Sequence, residues 1–202
     1  MELNKDLKLT DLIVVKHDVF SAEICDELIN EYQKDEWCEA ETLGLMENYR
    51  KCGTLLISHS NVINNKKRRK QLDQIIFETI SPVIQEYAKS FDGHLIYEKD
   101  EGYEMLKYEP GGYYKEHTDE PEKIFYDKNG NPEPKSLVKR KITLIVQLNE
   151  NFEGGGLSFF GDTHRIEPKK GSVILFPSNY LFPHQALPVT KGVRYSLITW
   201  IS

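Results

Sequence analysis

Between Tyr108 and Asp119 the chain reads Y-E-P-G-G-Y-Y-K-E-H-T-D, with His117 and Asp119 two residues apart. Side chains alternate along a strand, so a strand here predicts both on one face, pointing into one cavity. An imidazole and a carboxylate are two thirds of the facial triad that holds non-haem Fe(II) while leaving positions open for O2 and a co-substrate. The candidate for the third ligand is His184, in F-P-S-N-Y-L-F-P-H-Q-A-L-P-V. Ten residues later comes Arg194, in G-V-R-Y-S-L-I-T-W. That spacing predicts a second strand, a turn around Lys191 and Gly192, and a third strand running back alongside. A planar guanidinium grips a carboxylate with two parallel hydrogen bonds, so Arg194 can fix the far end of a dicarboxylate whose near end chelates iron. Ser196 shares its face and adds a hydroxyl.

These residues, with Glu153-Gly154-Gly155 and the run Pro188 to Arg194 (P-V-T-K-G-V-R), resemble the 2-oxoglutarate and Fe(II)-dependent dioxygenases of the prolyl-hydroxylase type, the PKHD-type hydroxylases among them. The likeness covers roughly the last half of the chain. It implies Fe(II), 2-oxoglutarate, O2 and ascorbate as cofactors, with His117, Asp119 and His184 as metal ligands and Arg194 as the carboxylate clamp in the catalytic set. It also implies hydroxylation of an amino-acid side chain, peptidyl proline foremost, with release of succinate and CO2. Tyr108 lies where members of the family place a phenol near 2-oxoglutarate, although a core aromatic would look the same. Thr143, Ile145 and Gln147 share a strand face, and Thr143 and Gln147 join the cofactor-binding candidates. The family often has an aromatic at Gln147 and, in the collagen type, a lysine at Arg194; both departures bear on substrate choice.

Three rival readings stand beside this one. A cupin-like metal or sugar-binding protein shares the barrel but uses His-x-His with a later carboxylate, and this chain has His-x-Asp. A catalytically silent module for protein interaction would be expected to lose its triad. The same chemistry on a free small molecule or a nucleic acid is the third. The demethylase branch carries a second arginine where this chain has Trp200, which is read as core packing. His17, His59, His94 and His164 have no partners at matching spacing and are read as ordinary histidines.

The elements that must position these groups follow from the rest of the chain. Its 202 residues, 39% hydrophobic and 29% charged, suit one globular domain with one sizeable core. The net charge of -6 disfavours a general nucleic-acid partner, which needs a cationic face. Cys25, Cys38 and Cys52 form no disulfide framework or zinc ribbon, and no targeting or membrane segment stands out, so a cytoplasmic protein is expected. The sequence says nothing of oligomeric state.

Leu12 to Val15 predicts a strand, and Ser21 a cap for a helix from Ala22 to about Lys34. The region Asp35 to Asn48 shows no period, and Gly53 to Ser58 reads as a strand. The basic run Lys66 to Lys70 opens a second helical pattern as a solvated surface, with a kink or a fresh start at Ser81-Pro82. Asp92-Gly93 marks a turn, and His94 to Tyr97 and Tyr103 to Tyr108 read as strands. Glu120 to Lys139 reads as a long loop or hairpin arm turning at Asn129-Gly130, placed to close over a substrate. Six short strands follow: Ile142 to Leu148, Gly156 to Phe160, Thr163 to Ile166, Ser172 to Phe176, Gln185 to Val189 and Val193 to Ile201. The fold expected is α+β and mainly β, a double-stranded β-helix (jelly roll) with the N-terminal helices packed outside. Residues 1–100 would be its support and 101–202 its metal-bearing core.

Overall fold

Alternation along the strands decides what each face of the main sheet carries. The computed structural model describes residues 8–40, 48–58, 66–120, 129 and 139–202. Seven strands form that sheet in the order β1 (Val14–Lys16), β11 (Val173–Pro177), β7 (Ile142–Gln147), β14 (Arg194–Ile201), β5 (Glu104–Tyr108), β4 (Gly53–Leu56) and β2 (Cys38–Glu39). A second sheet runs β10 (His164–Ile166), β9 (Leu157–Phe159), β12 (His184–Ala186), β6 (Tyr113–His117) and β3 (Arg50–Lys51). A ribbon pairs β8 (Glu153–Gly154) with β13 (Val189–Lys191). Each of these pairings is antiparallel.

β7 is buried along its whole length because both faces of its sheet are covered. Leu144, Val146, Val173, Leu175 and Leu197 pack outward, against Leu28 and Tyr32 of α1 (Ala22–Tyr32) and Leu72, Ile76 and Ile80 of α2 (Lys67–Lys89). Ile145, Ile174, Phe176 and Ile198 pack inward, against Leu157, Phe159 and Ala186 of the five-stranded sheet. The molecule is therefore a jelly roll with its helices on one outer face. Thr143 and Gln147, in phase with Ile145, look into the space between the sheets. Among the described residues no helix is long and apolar enough to cross a membrane.

Several local expectations are corrected. α2 runs unbroken through Pro82, so no fresh helix starts there. The proline is exposed, where water can satisfy the carbonyl it frees, and Ser81 Oγ donates back to Phe77 O at 2.6 Å instead of capping. The basic run is not wholly solvated either, since Arg69 is buried between Glu31 and Asp35, each at 2.6 Å, over the Tyr32 ring. That hydrogen bonding from Arg69 lowers the Asp35 pKa. His94 to Tyr97 is no strand; just beyond it, Glu98 N–H donates to Ser202 O and Asp100 bridges Ile201, so only the chain end is met. Gln185 to Val189 splits at Leu187-Pro188 into β12 and β13, because Pro188 has no N–H to continue a ladder. His59 and residues 41–47 lie outside the described residues, as does the stretch Glu120 to Lys139 except at its ends and Asn129.

One correction governs the site. β12 and β14 do not run side by side, since β12 pairs with β6 and β9 while β14 pairs with β5 and β7. His184 and Arg194 therefore stand on opposite sheets, facing each other across the interior.

The chain is tied to this frame at Gly171, whose carbonyl accepts from Val19 N (3.1 Å) and Phe20 N (3.0 Å). Its φ is +79°, and a Cβ there would lie 2.3 Å from Phe20 O. Gly171→Ala is expected to destabilise the fold by more than about 1 kcal/mol, read as a lower urea midpoint at unchanged slope. A midpoint equal to the parent's would show that the two segments do not approach so closely.

Candidate active site

β6 ends at His117 and β12 begins at His184, and the two are register partners. Their rings lie 4.3 Å apart between centroids. Asp119 is not on the strand, as alternation had suggested. With β12 starting opposite His117, Thr118 and Asp119 have no ladder to join, and the chain bends. The bend still turns the carboxylate inward, leaving Asp119 only 7% exposed. Asp119 Oδ1 lies 3.8 Å from His117 Nε2, and its Oδ2 lies 3.5 Å from His184 Nε2. Thr143 Oγ1 donates to Oδ2 at 2.7 Å and also contacts Ser178 Oγ at 2.9 Å.

The tautomers follow from the partners. His117 Nδ1 lies 2.7 Å from Lys115 O, and His184 Nδ1 lies 3.1 Å from Phe182 O. A carbonyl can only accept, so each Nδ1 carries the proton and each Nε2 keeps its lone pair. Burial pushes the His117 pKa well down and the neighbouring His184 adds to this, so the ring is neutral as a metal ligand must be. Burial alone would raise the Asp119 pKa. His184, His117 and the Thr143 hydroxyl together bring it below the usual carboxylate value. The three ligand atoms lie within 4.8 Å of one another, the only such group of metal-binding side chains among the described residues. Two imidazole nitrogens and a carboxylate suit a first-row divalent ion.

Stacking fixes the ring planes. Tyr114 lies on His117 at 3.4 Å and 15°, Arg50 lies over Tyr114 at 4.6 Å, and Phe176 meets His184 edge-on at 4.7 Å.

Across the interior, Arg194 is 2% exposed and has no ion pair among the described residues. Burial lowers its pKa, but a guanidinium keeps its proton. Its Nε donates to Gln147 Oε1 at 3.0 Å, and its plane lies over Tyr108 at 5.3 Å. Burial raises the Tyr108 pKa, so the phenol stays protonated beneath the cation. Ser196 Oγ, one pleat along, is buried with no hydrogen-bond partner among the described residues. A buried cation without an ion pair among the described residues, beside an unsatisfied hydroxyl, fits the far carboxylate of a dicarboxylate.

All eight residues singled out from the sequence thus border one interior. Thr143 supports Asp119, and Gln147 is bound to Arg194. His164 stays apart on β10, and His17 Nδ1 contacts Ser172 Oγ. Three neighbours were missed. Tyr114 and Arg50 wall the His117 side, while Arg140 stacks on Trp200 at 3.7 Å and pairs with Glu101 at 2.7 Å. Trp200, read as core packing, lies close enough to Asp119 to act on its carboxylate, while its Nε1 has no hydrogen-bond partner among the described residues. Its shared face with Arg194 was the available signal; Arg50 follows a stretch without periodicity and gave none.

Thr143→Val keeps the shape and removes the hydroxyl that orients Asp119. Fe(II) affinity is expected to fall about 10- to 100-fold in an anaerobic titration, and unchanged affinity would remove Thr143 from the site.

Residues 103–202 match the family model described as the 2OG-Fe(II) oxygenase superfamily. A PKHD-type hydroxylase from Aliarcobacter butzleri is 37% identical over 98 residues, 47% of this chain and 40% of that protein. The chain thus spans less than half the length of that relative. Among solved structures, a Pseudomonas putida prolyl-4-hydroxylase aligns over 94% of this chain and 92% of its own, with TM-score 0.66 and 21% identity. A Trichoplax adhaerens prolyl hydroxylase in complex with a hypoxia inducible factor oxygen degradation domain peptide fragment aligns over 95% and 84%, with TM-score 0.71 and 17% identity. At those identities the likeness is one of fold.

Proposed function

Because the chain belongs to the 2OG-Fe(II) oxygenase superfamily, we propose that it is an Fe(II)- and 2-oxoglutarate-dependent hydroxylase acting on an amino-acid side chain, a prolyl residue of a peptide first. The observation that carries this reading is the pairing of two features across one interior: three ligand atoms within 4.8 Å, and a buried guanidinium with no ion pair among the described residues. In this reading His117, Asp119 and His184 hold the metal, and Arg194 with Ser196 takes the far carboxylate of 2-oxoglutarate. Bound there, Fe(II) with 2-oxoglutarate and O2 would supply the oxidant that puts one oxygen atom into a C–H bond as the co-substrate becomes succinate and CO2.

The protein's own part is placement and exclusion of water. Lys115 O and Phe182 O keep both Nε2 lone pairs turned to the metal position, and Thr143 holds one oxygen of Asp119. Phe159, Phe176, Ile145 and Ile174 line the interior with groups that offer water no hydrogen bond. Tyr108 closes the space beneath Arg194 without adding charge.

For the substrate, the support is chemical. Tyr114 and Trp200 flank the ligand set, and Tyr180 and Leu181, 73% and 43% exposed, precede His184 on the surface. The exposed Tyr180 and Leu181 offer apolar surface that suits a neutral saturated ring, with Arg50 and Arg140 held over Tyr114 and Trp200. One similar structure holds a peptide fragment, which fits the same idea.

Purified protein given Fe(II), ascorbate and 2-oxoglutarate should form succinate slowly without substrate, and His184→Ala should stop it. Unchanged succinate formation in that variant would refute the ligand set. Proline-containing peptides should accelerate the reaction and gain the mass of one oxygen. A gain confined to free amino acids or to nucleic acid would leave the cofactor chemistry standing and move the substrate.

A further inference from the structure

Gln147 is fully buried, and its amide is committed on both sides. Nε2 donates to Asn149 O at 2.8 Å and to Tyr195 O at 3.1 Å, while Oε1 accepts from Arg194 Nε at 3.0 Å. This orientation is the one the partners allow. Turning the amide over would set its oxygen against two carbonyl oxygens and its NH2 against a cation. The backbone on either side of Arg194 is pinned as well: Asn149 Nδ2 donates to Val193 O at 2.7 Å, and Asn149 Oδ1 accepts from Tyr195 N at 2.7 Å. Arg194 is thus held at its base by Asn149 and along its side by Gln147.

With Nε spent, the guanidinium keeps only its terminal edge, Nη1 and Nη2, and neither has a partner among the described residues. We propose that Gln147 is a positioning residue, which turns that edge of Arg194 into the interior and so makes the site select keto acids carrying a second carboxylate. The inference rests on the reading of 2-oxoglutarate as co-substrate and adds what sets its recognition. An arginine stem is long and flexible, so a fork fixed beforehand need not be ordered when the carboxylate arrives. Gln147 itself has no donor left for the ligand. Its effect must pass through Arg194.

The test compares two ligands on one sample of Fe(II)-loaded protein without oxygen. 2-Oxoglutarate and 2-oxopentanoate share the keto-acid end, but the second has a methyl group in place of the far carboxylate. Calorimetry gives the affinity of each, and their ratio is the preference for the dicarboxylate; any unfolded fraction cancels from it. Gln147→Met keeps the volume and removes the acceptor. It is expected to reduce the preference by about fivefold or more, through 2-oxoglutarate, with 2-oxopentanoate within about twofold of the parent. Gln147→Glu places an internal anion against Nε and should reduce it further. A variant pair that retains the parent's preference, or weakens both ligands equally, overturns the positioning role. A parent protein with no preference would instead overturn the co-substrate reading beneath it, and that is seen before any variant is compared.

Discussion

A guanidinium removed from water with no carboxylate to meet it is a costly arrangement, on the order of several kcal/mol for an unpaired ion. Arg194 is kept in that state by strands on either side that leave it nowhere else to go. Its stem passes Gly155, where an added Cβ would come within 3.3 Å of Cδ, and its Nε is taken by Gln147. Glu167 acts on that charge without an ion pair, and an entering anion would meet it more closely. The fold therefore carries a binding preference as an electrostatic deficit, placed at the end of the interior opposite the metal ligands.

At the other end the constraint is register. Pairing β6 with β12 sets His117 against His184, and a slip of either strand by one residue would turn its imidazole out of the interior and part the pair. Nearby carbonyls fix the tautomers, and Thr143 reaches from the facing sheet to hold Asp119. The ligand set thus comes from the five-stranded sheet and is braced from the other, with its protons placed before any metal binds.

Much of this was legible in the sequence, because ligand chemistry depends on residue type and order. His117, Asp119, His184 and Arg194 were nameable from their spacing, and the jelly roll from short strands punctuated by Gly154-Gly155-Gly156, Gly161-Asp162 and Lys170-Gly171. Sheet assignment was not legible. Ten residues between His184 and Arg194 fit a hairpin equally well, and only Pro188, which interrupts the ladder, hinted at a crossing between sheets. Asp119 was placed correctly for a partly wrong reason: a bend, not strand alternation, brings it inward. Arg50 and Arg140 were invisible because their partners, Tyr114 and Trp200, are 60 or more residues away. Gln147 was visible as a polar group in need of a partner. Which partner depended on whether β7 and β14 are neighbours.

The two sheets are unequal, and the inequality suits the chemistry proposed. The seven-stranded sheet is covered by α1 and α2 on one face and by the interior on the other, so Arg194, Gln147 and Thr143 sit on the best-packed strands of the molecule. Among the described residues no helix covers β6 and β3, and their residues are half-buried or exposed. Strands with less burial open at lower free energy. In the proposed function, the co-substrate would be recognised by the well-packed wall and the larger substrate would meet the thinner one, beside Tyr114 and the exposed Tyr180 and Leu181. A site built the other way round, with its clamp on the thin sheet, would lose the fixed fork on which discrimination between one carboxylate and two depends.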